Sequence, residues 1–141
     1  MRILIAIDGS ELSRHAVDYV IRHRDTLARG AELTCLFVDA PPVLRAVGAF
    51  GADPGMPPLP PVDPRQLVAP HLQALKEAGL EALLLVREGE PGVEIAQAAS
   101  ESGFDLVVMG THGRKLLTRA LLGSVANTVV SSCTVPVLLV R

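Results

Sequence analysis

Apolar runs and amphipathic stretches alternate along the whole chain. Ile3 to Ile7 is unbroken apolar sequence and predicts a strand buried on both faces. After the turn Asp8-Gly9-Ser10, the residues Leu12, Ala16, Tyr19, Val20, His23 and Leu27 recur at helical spacing, and Gly30 ends that helix. Glu32 to Val38 predicts a second strand. A helix carrying Leu72, Leu75 and Ala78 follows, with Pro70 near its first turn or kinking it, and Gly79 stops it. Ala82 to Val86 predicts a third strand. Pro91-Gly92 opens a helix through Val93, Ala96 and Ala99 that closes near Gly103. Leu106 to Met109 predicts a fourth strand, Gly123 to Ser132 a last helix and Val135 to Val140 a fifth strand.

One stretch breaks this rhythm. Residues 39–64 contain Pro41, Pro42, Pro54, Pro57, Pro58, Pro60, Pro61 and Pro64. Proline has no N–H to give to a sheet or helix ladder, so this reads as a long, exposed, semi-stiff excursion. It is either a lid over a ligand or a disordered loop.

Strands joined by helices of this length require crossovers, which are right-handed and give a parallel sheet covered on both faces. The expected fold is therefore a single-domain, doubly wound α/β domain with five parallel strands. Such sheets bind ligands at the carboxyl ends of strands, where strand order reverses. If the all-apolar first strand is central, Asp8 comes next to Gly110, with Val38-Asp39 lining the neighbouring side.

Composition narrows the function classes. At 141 residues the chain suits one domain with a proper core. A formal net charge of −2, 3% aromatics and no Trp argue against a nucleic-acid binder. No apolar run reaches the ~20 residues that cross a bilayer, so no membrane insertion is expected. The N-terminal run meets Asp8 too soon for a signal peptide, which makes a cytoplasmic location the default. Cys35 and Cys133 are isolated in apolar sequence and read as reduced core residues. His15, His23 and His71 are scattered on helices without metal-ligand spacing and read as surface or boundary residues.

The chemistry concentrates near the C-terminus. Gly110-Thr111-His112-Gly113 follows the fourth strand, and Gly123-Ser124 opens the last helix. Glycine lets the backbone turn tightly and approach a ligand with no Cβ in the way. The N–H groups of Gly113, Ser124 and Val125 could then face phosphate oxygens, helped by the positive end of a helix dipole. Arg114, Lys115 and Arg119 add positive charge nearby, yet such a spacing is equally that of a solvated helix face. The motif is neither a Walker A loop nor the dinucleotide fingerprint, since G-K-[ST] and G-x-G-x-x-G are both absent. Asp8 has two readings: a turn or cap residue, or a carboxylate for a ribose hydroxyl or a metal beside phosphates. Ser10 reads as a helix cap. His112 invites an acid–base role but has no orienting partner in the sequence.

The spacing Gly110-x2-Gly113-x9-Gly123-Ser124, with ILIAIDGS at the start and VPVLLVR at the end, resembles the universal stress proteins of the UspA type. The likeness spans essentially the whole chain and includes the complete glycine motif of the family's ATP-binding branch. It implies a Rossmann-like sheet of order 3-2-1-4-5, similar to that of the adenine nucleotide alpha hydrolases. It also implies ATP as ligand, sometimes with Mg or Mn. Ala6, Ile7 and Asp8 would lie along the adenosine, and the backbone of Val38 would read the adenine edge. Met109 and Gly110 would flank the ribose, and Gly113, Gly123, Ser124, Val125 and Ala126 would hold the phosphates with Arg114 nearby. Asp8 is the metal candidate, and Asn127 is a further polar neighbour on the last helix. The resemblance further implies a homodimer paired through Val135 to Val140, an apolar sheet edge of the kind proteins cover.

Two functions remain open at this stage. One is an ATP-binding stress-response or signalling module with at most slow hydrolysis and an unnamed protein partner. The other is an ATP-dependent hydrolase or transferase on the same scaffold, with a nucleotide-free dimeric scaffold as a weaker third.

Overall fold

The computed structural model describes residues 1–41, 63–111 and 122–141. Five strands form one sheet: β1 (Arg2–Ala6), β2 (Glu32–Asp39), β3 (Ala82–Glu88), β4 (Leu106–Gly110) and β5 (Val137–Val140). Among the described residues, four α-helices cover it: α1 (Glu11–Arg22), α2 (Pro64–Glu77), α3 (Pro91–Glu101) and α4 (Ser124–Ser132). The order is β3-β2-β1-β4-β5, and every described pairing is parallel. β1 is central, as its apolar run requires, with Ile5 opposite Cys35 on one side and Val108 on the other.

Side-chain alternation along the strands divides the core into two layers. Ile3, Ile5, Ile7, Leu33, Cys35 and Phe37 face α1 and α2. Leu4, Ala6, Leu36, Val107 and Met109 face α3 and α4. The sheet is thus doubly wound, buried on both faces at its centre. Cys35 is part of the first layer, and burial pushes its thiol pKa up to about 12. Cys133 is only half-buried, less interior than the sequence suggested.

Helix starts follow local chemistry. The Ser10 side chain accepts from the Ser13 amide and caps α1, whose buried face carries Ser13, Ala16, Val17 and Val20. Asp63 caps α2, and Pro64 takes its first turn, where a missing N–H costs nothing. The proline-rich excursion is therefore shorter at both ends than its composition indicates: Asp39 still pairs in β2 and Pro64 is already helical. Residues 42–62 lie outside the described residues.

Three further boundaries differ from the periodicity. The helix carrying Leu27 is not one rod, because α1 stops at Arg22 and a π-helical turn spans Arg24–Ala28. At the junction the His23 amide and ring both engage the Tyr19 carbonyl, at 3.1 and 2.8 Å. β3 runs on to Glu88 because β2 supplies a partner as far as Asp39. β5 starts at Val137, after Pro136, whose carbonyl accepts from Val107 N but whose nitrogen has no proton to offer. Where α3 meets α4, a Cβ on Gly92 would lie 2.6 Å from Thr128 Cβ, so only glycine permits this helix contact.

Candidate functional site

The parallel sheet places the carboxyl ends of β1 and β4 side by side. The chain leaves them in opposite directions, toward α1 on one face and toward α4 on the other. A crevice opens at this switch point, lined by Ala6, Ile7, Asp8, Ser13, Met109, Gly110, Val125 and Ala126. Asp8 and Gly110, 102 positions apart in sequence, thus reach one site.

Each wall has an identifiable support. On the β1 side, Asp8 Oδ1 accepts from the Ser10 amide at 2.9 Å, which folds the turn through Gly9 at φ +77°. The turn reading of Asp8 is therefore realised.

On the β4 side, the Gly123 amide donates to the Thr111 carbonyl, and the Thr111 amide donates to the Val140 carbonyl, both at 2.9 Å. Thr111 is buried. These bonds pin the start of α4 to the ends of β4 and β5. Gly123 is the N-cap and offers no side chain to the first turn, which holds no acidic residue either. The amides of Ser124, Val125 and Ala126 have no carbonyl four residues back within the helix. They form the positive end of α4 beside the crevice, an arrangement suited to an anionic group.

The structure brings together Ala6, Ile7, Asp8, Met109, Gly110, Val125 and Ala126 around this crevice. Gly123 is buried and Ser124 exposed at the adjoining helix start. Val38 lies one strand away, half-buried on β2 and two residues past Leu36, whose carbonyl accepts from Ile7 N. It does not line the crevice. Asn127 is exposed on α4, its amide tied to the Gly123 carbonyl at 2.8 Å. Gly113 and Arg114, with His112, Lys115 and Arg119, lie outside the described residues.

Two buried polar residues at or behind the crevice were missed by the sequence reading. Ser13 lines the crevice at 5% exposure, and His71, expected at a boundary, is 4% exposed. His71 Nε2 lies 3.0 Å from Ser13 Oγ, and Ser13 Oγ donates to the Ser10 carbonyl at 2.9 Å. Burial holds the His71 pKa below its usual value. A signal was present in the sequence: His71 stands three residues after Val68 and four before Leu75, on the buried stripe of α2. Among the described residues, no three His, Cys, Asp or Glu side chains gather to hold a metal ion.

Fold and crevice together define a class: a single doubly wound, Rossmann-like α/β domain with its candidate site at the switch point. The chain matches the model of the universal stress protein family over residues 1–141, and it belongs to that family. It is 33% identical to Universal stress protein MJ0531 of Methanocaldococcus jannaschii over 99% of this chain and 81% of that protein. The solved structure of hypothetical protein MJ0577 superposes with a TM-score of 0.73 at 25% identity, over 99% of this chain and 94% of the other. The fold is shared with a universal stress protein in complex with cAMP (TM-score 0.68, 23% identity, 100% and 96% of the two chains). It is shared too with the Archaeoglobus fulgidus universal stress protein in complex with dAMP (TM-score 0.65, 19% identity, 100% and 98%).

Proposed function

We propose that this chain binds an adenine nucleotide, ATP, in the crevice between β1 and β4 and serves as a nucleotide-dependent stress-response or signalling module. The observation that carries this reading is the meeting of Asp8, Gly110 and the amide-bearing start of α4 at one switch point. The adenosine would lie against Ala6, Ile7, Asp8, Met109 and Gly110, with the Val38 backbone at the adenine edge. The phosphates would face the amides of Ser124, Val125 and Ala126, beside Gly123, with Gly113 and Arg114 completing the cradle. The cAMP and dAMP complexes of two proteins of this fold support an adenine nucleotide as the ligand class.

A divalent cation, Mg or Mn, would arrive with the triphosphate, since Asp8 is the one carboxylate among the described residues that line the crevice. Backbone donors at a helix start bind charge without activating a nucleophile, which suits a binding module with slow hydrolysis at most. Within this reading the protein is cytoplasmic, where ATP is available, and pairs as a homodimer through β5. Val137, Leu138 and Leu139 on that edge are only partly buried within one protomer.

Titration calorimetry with ATP, ADP and AMP tests the reading. Binding of at least one of them is expected at micromolar to millimolar concentration, with affinity rising as phosphates are added. The absence of heat with all three would remove the nucleotide from the function.

A further inference from the structure

Ser13 and His71 form a buried polar pair beside the crevice that the nucleotide reading does not use. Their hydrogen bonds fix the state of the ring. With the Ser13 hydroxyl donating to the Ser10 carbonyl at 2.9 Å, the Ser13 oxygen is placed to accept from the imidazole Nε2 at 3.0 Å. That pattern matches a neutral ring protonated at Nε2, and the buried Nδ1 has no hydrogen-bond partner among the described residues.

From Ser13 the connection continues to the crevice wall. Ser10 Oγ accepts from the Ser13 amide at 3.1 Å, and the Ser10 amide donates to Asp8 Oδ1 at 2.9 Å. Asp8 and Ser13 both line the crevice, while His71 stands behind them on α2. One ring thus ties α2 to the turn that shapes the site.

We propose that His71 is a positioning residue for the crevice: through Ser13 it holds the Asp8–Ser13 wall, and taking up a proton releases that wall. The nucleotide consequence rests on the reading given above; the release itself does not. A second ring proton would sit on Nδ1, buried without an acceptor, so the charged ring must leave its socket or open it to water.

The groups facing the ring do not offset this. Arg14 opposes the added charge, and its guanidinium is already paired with Asp18 at 2.9 Å. The Ser10 carbonyl, Asp8 and Asp18 favour the charge, but burial is the largest influence on the ring and holds its pKa below the usual value. The β2 face packed against α2 presents Leu33, Cys35 and Phe37, and burial, which pushes the Cys35 pKa up to about 12, keeps that thiol neutral. The β3 face presents Ala82 and Leu84. Acid conditions therefore loosen the wall, and a ligand seated on Asp8 and Ser13 is held less tightly.

Two measurements on the full chain decide the matter. In the first, the His71 ring is titrated by NMR without ligand while the amides of residues 8–13 are followed. Those amides are expected to shift with the ring's midpoint, and in Ser13→Ala they are expected not to. Amides in the wild type that ignore the ring would overturn the proposal whatever the ligand does.

In the second, ATP affinity is measured at pH 8 and pH 5.5 for the wild type and for His71→Gln. The Gln amide can donate to Ser13 but does not titrate in this range. ATP's own protonation is common to both proteins and cancels. The wild type is expected to lose about tenfold more affinity than His71→Gln between the two pH values, as one linked proton allows. Parallel losses in the two proteins would overturn the coupling to ligand. A wild type that binds no ATP at pH 8 would instead overturn the nucleotide reading, with the release of the wall still decided by the NMR titration.

Discussion

The amide of Gly123 donates to the carbonyl of Thr111 across 2.9 Å, joining the two ends of the segment 112–121. The Thr111 amide in turn donates to the Val140 carbonyl. The last strand, the fourth strand and the last helix therefore share one buried residue as their junction. This fixes the positive end of α4 against the carboxyl end of β4, where Gly110 lines the crevice. A ligand anion placed there meets donors held in position before it arrives, and binding costs little reorganisation.

Gly123→Val tests that junction from the ligand's side. Gly123 sits at φ −61° and ψ 154°, a conformation open to any residue, so the substitution stores no backbone strain. Its branched side chain instead occupies the approach to the α4 amides. Affinity for ATP is expected to fall at least about a hundredfold, while the helix start loses only about 1 kcal/mol. Calorimetry gives the first quantity and urea unfolding the second. Unchanged affinity in a folded variant would place the phosphates elsewhere.

Gly9 supports the opposite wall for a different reason. Its φ of +77° disfavours any side chain, and an added Cβ would lie 2.5 Å from Leu67 Cγ on α2. Gly9→Ala is expected to destabilise the fold by roughly 2–3 kcal/mol, combining the left-handed backbone cost with local overpacking. A urea midpoint within error of the wild type would show that α2 yields easily at this point.

Much of this architecture was legible in the chain, and the reasons are particular. Ile3 to Ile7 announced a strand with two covered faces, and Ser10 before an amphipathic run announced a helix start; both effects are local. Gly123-Ser124 likewise announced the start of α4, a local effect of a cap residue before a helical run. The His71 environment was not legible in the same way. Its burial depends on a hydroxyl 58 positions earlier, and periodicity shows a face without naming what covers it. The strand limits at Asp39 and Glu88 likewise depend on mutual pairing, not on either segment alone. The π-helical turn at Arg24–Ala28 leaves the apolar spacing through Leu27 nearly intact, so the pattern could not reveal it.

The acid limb of stability follows from His71. In the unfolded chain a histidine titrates near pH ~6.5, and burial lowers that value in the fold. Below pH ~6.5 the unfolded state therefore binds a proton that the native state refuses, and stability falls with pH until the folded ring also titrates. Above that window the contribution is fully present. His71→Gln is expected to show a flatter profile between pH 7 and pH 5 in urea unfolding, from a starting stability at pH 8 lowered by the changed packing. Identical slopes for the two proteins would assign the acid limb to the carboxylates.

The sheet edge gives the last expectation, and it turns on which way the backbone of β5 points. The carbonyls of Pro136 and Val140 accept from Val107 of β4 and from Thr111 just after it. In a strand, alternate residues direct their backbone groups to opposite sides, so Leu138 belongs with these two and faces β4. The backbone groups of Val137 and Leu139 face outward, where a second copy would pair. Proline at position 139 removes an outward N–H while leaving the bonds to β4 in place. At micromolar concentration the wild type is expected to sediment as a dimer, about twice the chain mass of 14.9 kDa, and Leu139→Pro as a folded monomer. Proline at position 138 would instead attack the β4–β5 ladder and cost stability, which separates loss of pairing from loss of fold. A wild type that sediments as a monomer would end the case for pairing through β5, and a Leu139→Pro variant that remains dimeric would move the interface off this edge.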